Sequence, residues 1–160
     1  MYDSTKDTLK HKIHVCDVLN KLIISELSKR AVTHDDSKLK APEKQCYDQY
    51  IPLLRQHKYG TPEYEECRVR MKEDGMDHHF LVNRHHPEHF QNGIKDMTIV
   101  DVVELLCDWF AASLRSDTTF MEGLDRNVEK YGIPEELKSI FINTYNEYFK
   151  DYESTNREKK

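Results

Sequence analysis

The sequence has little glycine and little proline, five of each in 160 residues. Backbone breaks are therefore scarce, and long uninterrupted helices are expected. No run approaches the roughly 20 apolar residues that a membrane-spanning helix needs, so no membrane is expected as a partner. The four cysteines, Cys16, Cys46, Cys67 and Cys107, show no CxxC spacing. They read as reduced thiols rather than a disulfide framework or a thiolate metal site. The opening residues Met1-Tyr2-Asp3-Ser4 lack the basic and apolar regions of a signal peptide, and a cytoplasmic location is the expectation. An excess of cations is also lacking: the net charge is −5, which gives no support for nucleic acid as a partner. No internal repeat, low-complexity segment or convincing strand pattern stands out.

Histidine is what the sequence has in abundance. There are nine, and five fall between His78 and His89. The stretch His34-Asp35-Asp36-Ser37-Lys38 offers an imidazole and a carboxylate side by side, donors suited to a borderline-hard divalent cation. Further candidates stand at helical spacings along the chain. A first helix is expected from about Asp7 to Leu27, with Val15, Val18, Leu19, Leu22 and Ile23 at helical period. His11 falls on that stripe, which is expected to be buried, and His14 on its shoulder. For His11 to reach His34 the chain must turn between them, because one continuous helix would part them by roughly 34 Å. The turn is expected near Ser25 to Ser28, followed by a short helix over 26–33.

Pro42 suits the first turn of the next helix, with Tyr47, Tyr50, Ile51 and Leu54 on its apolar side and a stop signal at His57-Lys58-Tyr59-Gly60. Thr61-Pro62-Glu63 restarts the chain as a cap, a first-position proline and an acidic first turn. That helix is expected to run towards Arg84 with a flaw at Gly75. It would carry His79, Asn83 and His86 at i, i+4 and i+7 on one face. Pro87 disfavours helix at His86, so His85 and His86 are expected at the helix end, where either ring could turn inward. From about Thr98 to Arg115 a further helix places Val102, Leu105, Leu106, Trp109 and Phe110 on its buried side. Asp101, Glu104 and Asp108 lie on the other. A final helix after Pro134 carries Phe141, Tyr145, Tyr148, Phe149 and Tyr152 as core. Residues 1–152 are expected to form one domain, with 153–160 a charged, disordered tail.

The order of these pieces resembles the HD-domain superfamily of metal-dependent phosphohydrolases. His11-Lys12-Ile13-His14-Val15 resembles the histidine of its first helix, and His34-Asp35-Asp36-Ser37-Lys38 resembles the HD-x-x-K signature, with Ser37 where many members have glycine. His79 resembles the extra histidine of two-metal members. His85-His86-Pro87-Glu88 resembles their His-His-Glu run with a proline inserted, and Asp108-Trp109-Phe110-Ala111-Ala112 the terminal aspartate. More narrowly, the set is similar to a small group of HD-like bacterial and phage proteins of undetermined function.

The resemblance implies an all-α, single-domain HD-type bundle of about six helices. It also implies one or two divalent ions (Mn, Fe, Co, Ni, Zn or Mg) held by His11, His34, Asp35, His79, His85 or His86, and Asp108. Lys38 would stabilise phosphoryl charge with Arg84 as a helper, and Glu104 would shuttle protons or orient a ligand. Asn83, Asp101 and His14 would stand behind the ligands. The implied activity is hydrolysis of a small phosphate ester, most naturally a nucleotide. A diiron oxygenase and a non-catalytic nucleotide- or metal-binding module are the competing readings.

Overall fold

The computed structural model describes residues 5–57, 61–116 and 118–157. Among these the protein is all-α, with no strand. The α-helices are α1 (Thr5–Leu19), α2 (Glu26–Thr33), α3 (Glu43–Leu54), α4 (Pro62–Met71), α5 (Asp77–Val82), α6 (Ile99–Leu114), α7 (Phe120–Tyr131), α8 (Glu135–Thr144) and α9 (Lys150–Asn156). π-helical turns at Asn20–Ser25, Lys72–Met76 and Tyr145–Phe149 join consecutive helices, so the described residues group into six helical runs. Short 3₁₀ turns occupy Asp36–Leu39, Pro87–His89 and Gly93–Asp96. No helix among the described residues is long and apolar enough to cross a membrane.

The chain divides into two compact units, Met1–His34 and Asp35–Lys160, where one domain over 1–152 was expected. The described residues of the first unit form a single helical run from Thr5 to Thr33. Leu19, Ser25 and Glu26 all keep right-handed helical dihedrals, so the turn expected near Ser25 to Ser28 is absent. The reason is local: no glycine or proline lies between Thr5 and Thr33, and the wider π turn absorbs the irregularity without reversing the chain. The expected short helix over 26–33 is present, but as a continuation. No residue of α1 is buried, and His11 and His14 are exposed, so the stripe expected to bury His11 does not do so.

The second unit has two apolar centres. Leu106, Phe110, Phe120, Leu124, Ile133 and Phe141 form the larger one, between α6, α7 and α8. Phe110 stacks on Phe149, and Phe120 stacks on Tyr145. Capping boxes start two of these helices, Thr98 with Asp101 on α6 and Thr119 with Glu122 on α7. Each satisfies backbone donors that would otherwise be orphaned, a contribution of about 1 kcal/mol. Of the aromatic stripe expected as core, Tyr148 and Tyr152 are instead exposed, although the Tyr152 ring still meets the edge of Phe110. The tail expected to be disordered is helical up to Asn156, and Glu153 is buried against the Tyr145 hydroxyl and Arg157. Positions 158–160, like 58–60 of the expected stop signal, lie outside the described residues.

The smaller centre packs Cys46, Tyr50 and Met71 between α3 and α4. Here the flaw expected at Gly75 is real. Gly75 has non-helical dihedrals, and a Cβ there would lie 2.6 Å from the Cys46 Cβ. Glycine is required by this close approach, which sets α5 against the start of α3.

Candidate metal centre

Asp35 has φ 61° and ψ 11°, the left-handed conformation, and is the one described residue other than glycine with positive φ. Aspartate is among the few residues that tolerate this region, at a cost of about 1–2 kcal/mol. The reversal starts the 3₁₀ turn and brings Lys38 back over Asp35. The Lys38 backbone N–H donates to the Asp35 carbonyl at 2.9 Å, and Lys38 Nζ donates to Asp35 Oδ2 at 2.6 Å. Lys38 Nζ also lies 5.1 Å from the centre of the Tyr47 ring. Burial, then the carboxylates of Asp35 and Glu43, push the Tyr47 hydroxyl pKa up, so it stays protonated.

The other oxygen of Asp35 faces histidines. Oδ1 lies 3.3 Å from His79 Nε2 and 3.5 Å from His85 Nε2. His79 Nε2 lies 2.8 Å from His86 Nε2. One donor atom from each of Asp35, His79, His85 and His86 falls within a common 4.8 Å. His79 and His85 are buried, and His86 is half-buried. α5 ends at Val82 and Asn83 is extended, so His86 meets His79 through a turn before Pro87 rather than along one helical face. Freed from helical spacing, both His85 and His86 reach the cluster, where only one was expected to turn inward.

The second nitrogens of the two buried rings face carboxylates. His79 Nδ1 stands 2.8 Å from Glu43 Oε2, and His85 Nδ1 stands 3.3 Å from Glu104 Oε1. In both rings the shorter carboxylate contact is on Nδ1, 2.8 against 3.3 Å for His79 and 3.3 against 3.5 Å for His85; with the ring proton on Nδ1, each Nε2 presents a lone pair towards Asp35 Oδ1. Electron-rich atoms thus converge on one point, an arrangement that a cation relieves. Donors about 2.1 Å from an ion stand about 3.0–3.4 Å from one another, close to the separations here. Three imidazoles and one carboxylate fit a first-row divalent ion. Burial, then Lys38, pushes the His79 pKa down, while Glu43 and Asp35 oppose this without prevailing. Burial, then the neighbouring His85 and His79 rings, push His86 down to about 3. Both rings are therefore neutral near pH 7, the form that ligates metal.

Other expected site residues are placed differently. His11 and His34 are 23 positions apart along one helical run, a separation of roughly 34 Å, so they cannot share an ion. The same continuity keeps His14 from backing His34. Asp101, expected on the open face of α6, is fully buried. It closes the α6 cap and accepts both Arg84 Nε at 3.1 Å and a terminal Arg84 nitrogen at 2.9 Å. Its role is to hold Arg84 rather than a metal ligand. Asn83 donates to Ser37 Oγ at 2.8 Å and to the His79 carbonyl at 2.9 Å, standing directly behind His79. An Asp108 donor atom lies within 4.8 Å of one of Asp35. Glu88, from the His-His-Pro-Glu run, turns away and accepts from Lys130 Nζ and the Tyr131 hydroxyl.

Glu43 escaped the sequence reading. Behind Pro42 it looks like an ordinary first-turn acid. Its side chain is fully buried, however, and accepts from Ser37 Oγ at 2.8 Å. The signal that could have found it is a serine inside the HD-x-x-K motif, six residues before a glutamate at a helix start.

The chain belongs to the family of unknown function DUF5662, which matches residues 1–154. No curated protein and no solved structure matches it.

Proposed function

We propose that the chain is a metal-dependent phosphohydrolase, cytoplasmic, acting on a small phosphate ester of the nucleotide class. The observation that supports this is the convergence of Asp35, His79, His85 and His86, with Lys38 on the far oxygen of Asp35. When bound, a divalent cation supplies Lewis acidity towards a phosphoryl oxygen and a water. Asp35 and the three imidazoles hold it, and Glu104 keeps His85 in the ligating tautomer. Asp108 is placed to extend the carboxylate side towards a second ion or a water. Lys38 is the cation of the reaction. With Asp35 engaged as a ligand, the Lys38 ammonium would be left to face a phosphoryl oxygen as negative charge builds there. Arg84 is already neutralised by Asp101 and contributes less.

Lys38 suits hydrolysis, in which negative charge builds on a phosphoryl oxygen. The test is a panel of nucleoside monophosphates, cyclic dinucleotides and an aryl phosphate with Mn²⁺, Mg²⁺, Co²⁺ or Fe²⁺. Turnover lost in Asp35→Asn and reduced about 100-fold in Lys38→Ala is expected. Inactivity on every ester in the metal-loaded protein would sink the reading. Two equivalents of iron with a reductant-sensitive visible band would point to oxidation instead.

A further inference from the structure

We infer that Glu43 is a positioning residue for the metal, the carboxylate that presents His79 Nε2 to the ion; this rests on the metal-centre reading above. Both Glu43 oxygens are fixed. Oε2 meets His79 Nδ1 at 2.8 Å and accepts from Ser37 Oγ at 2.8 Å, and Oε1 meets His78 Nδ1 at 2.7 Å. The side chain is fully buried, at the first turn of α3. A carboxylate removed from water is costly unless it is well paired. This one is paired with two imidazole nitrogens and a hydroxyl, and no lysine or arginine among the described residues hydrogen-bonds to it. A helix-start acid serving only the backbone would lie at the surface, as Glu122 does on α7.

The geometry has three consequences. Glu43 fixes which His79 nitrogen bears the proton. It stops the ring rotating about its side-chain bonds, and its charge makes Nε2 a stronger donor. His78, half-exposed on the far oxygen, clamps Glu43 rather than joining the ion, although a regular helix would have turned it away. The α3 start and the 3₁₀ turn are thereby tied to α5 through one carboxylate.

The test is Co²⁺ titration of the full chain, followed by the visible cobalt spectrum, in the wild type and Glu43→Gln. Glutamine keeps the shape and removes the charge. A 10–100-fold weaker Kd with an altered band is expected, in a variant that circular dichroism shows to be folded. A folded Glu43→Gln with unchanged Kd and spectrum would overturn the inference while leaving the metal centre intact. A wild type that binds no cobalt would overturn the metal centre itself, and the role of Glu43 with it. Should Glu43→Gln not fold, Ser37→Ala decides, since it removes the hydroxyl that pins Oε2 while Asn83, which also donates to that hydroxyl, keeps the His79 carbonyl as an acceptor. A several-fold weaker Kd supports the inference, and an unchanged one refutes it.

Discussion

Phe141 and His79 are equally buried, each 1% exposed, yet opposite forces hold them. Phe141 lies in an apolar centre between helices, where area removed from water is the stabilising term. His79 lies in a polar pocket where every contact is directional: Glu43 on one nitrogen, and Asp35 and His86 on the other. The first arrangement is complete as it stands. The second gathers electron-rich atoms that stabilise one another only around a cation. The larger apolar centre and the candidate metal site thus lie in different parts of the same unit, and substitutions should separate them.

The sharpest separation comes from Phe141→Ala. Losing a buried ring leaves a cavity and should cost about 3–5 kcal/mol, read by urea unfolding. Metal affinity of the fraction still folded should not change. An equal loss of affinity would mean that the two regions are one cooperative site.

Asp35→Asn should do the reverse. Asparagine tolerates the left-handed backbone at φ 61°, so stability without metal should stay within about 1 kcal/mol. Metal affinity should fall at least about 100-fold, measured by calorimetry. Retained affinity would remove Asp35 from the ligand set.

Gly75→Ala tests the mechanical link between the regions. Its methyl would meet the Cys46 Cβ at 2.6 Å, forcing α3 and α5 apart. Overpacking should cost about 1–3 kcal/mol and weaken metal binding through the Glu43–His79 contact. An unchanged Kd would show that the contact adjusts freely.

Acid should attack the histidine cluster first. His79 and His86 have pKa values lowered in the folded protein, His86 to about 3, against about 6.5 when unfolded. The unfolded chain therefore takes up protons that the folded one refuses. The stability these groups contribute is present above pH 6.5 and is lost as pH falls from there towards 3. Metal affinity should fall across the same window. A melting temperature flat between pH 7 and 5 in metal-free protein would contradict this.

Much of the local structure was legible in the residues. Thr98 and Thr61-Pro62 mark two helix starts, and the observed caps sit on them. Asp35 and Lys38 are three residues apart, and His79, His85 and His86 lie within eight, so their meeting needs only one turn each. The error over His11 came from inferring a turn for functional reasons where no residue demanded one. Asp101 was misplaced because helical periodicity assigns a face but does not reveal an arginine partner seventeen residues earlier in the chain.

The sequence by itself determined an all-α protein, several helix starts and the histidine-rich stretch, because periodicity, capping and short turns depend on near neighbours. Only the tertiary structure decided which donors converge and which carboxylates stand behind them. Glu43 acquires its role from residues 36 positions away, across an approach that Gly75 alone permits. Hydrogen bonds between distant segments depend on how helices pack, and no local pattern encodes that distance.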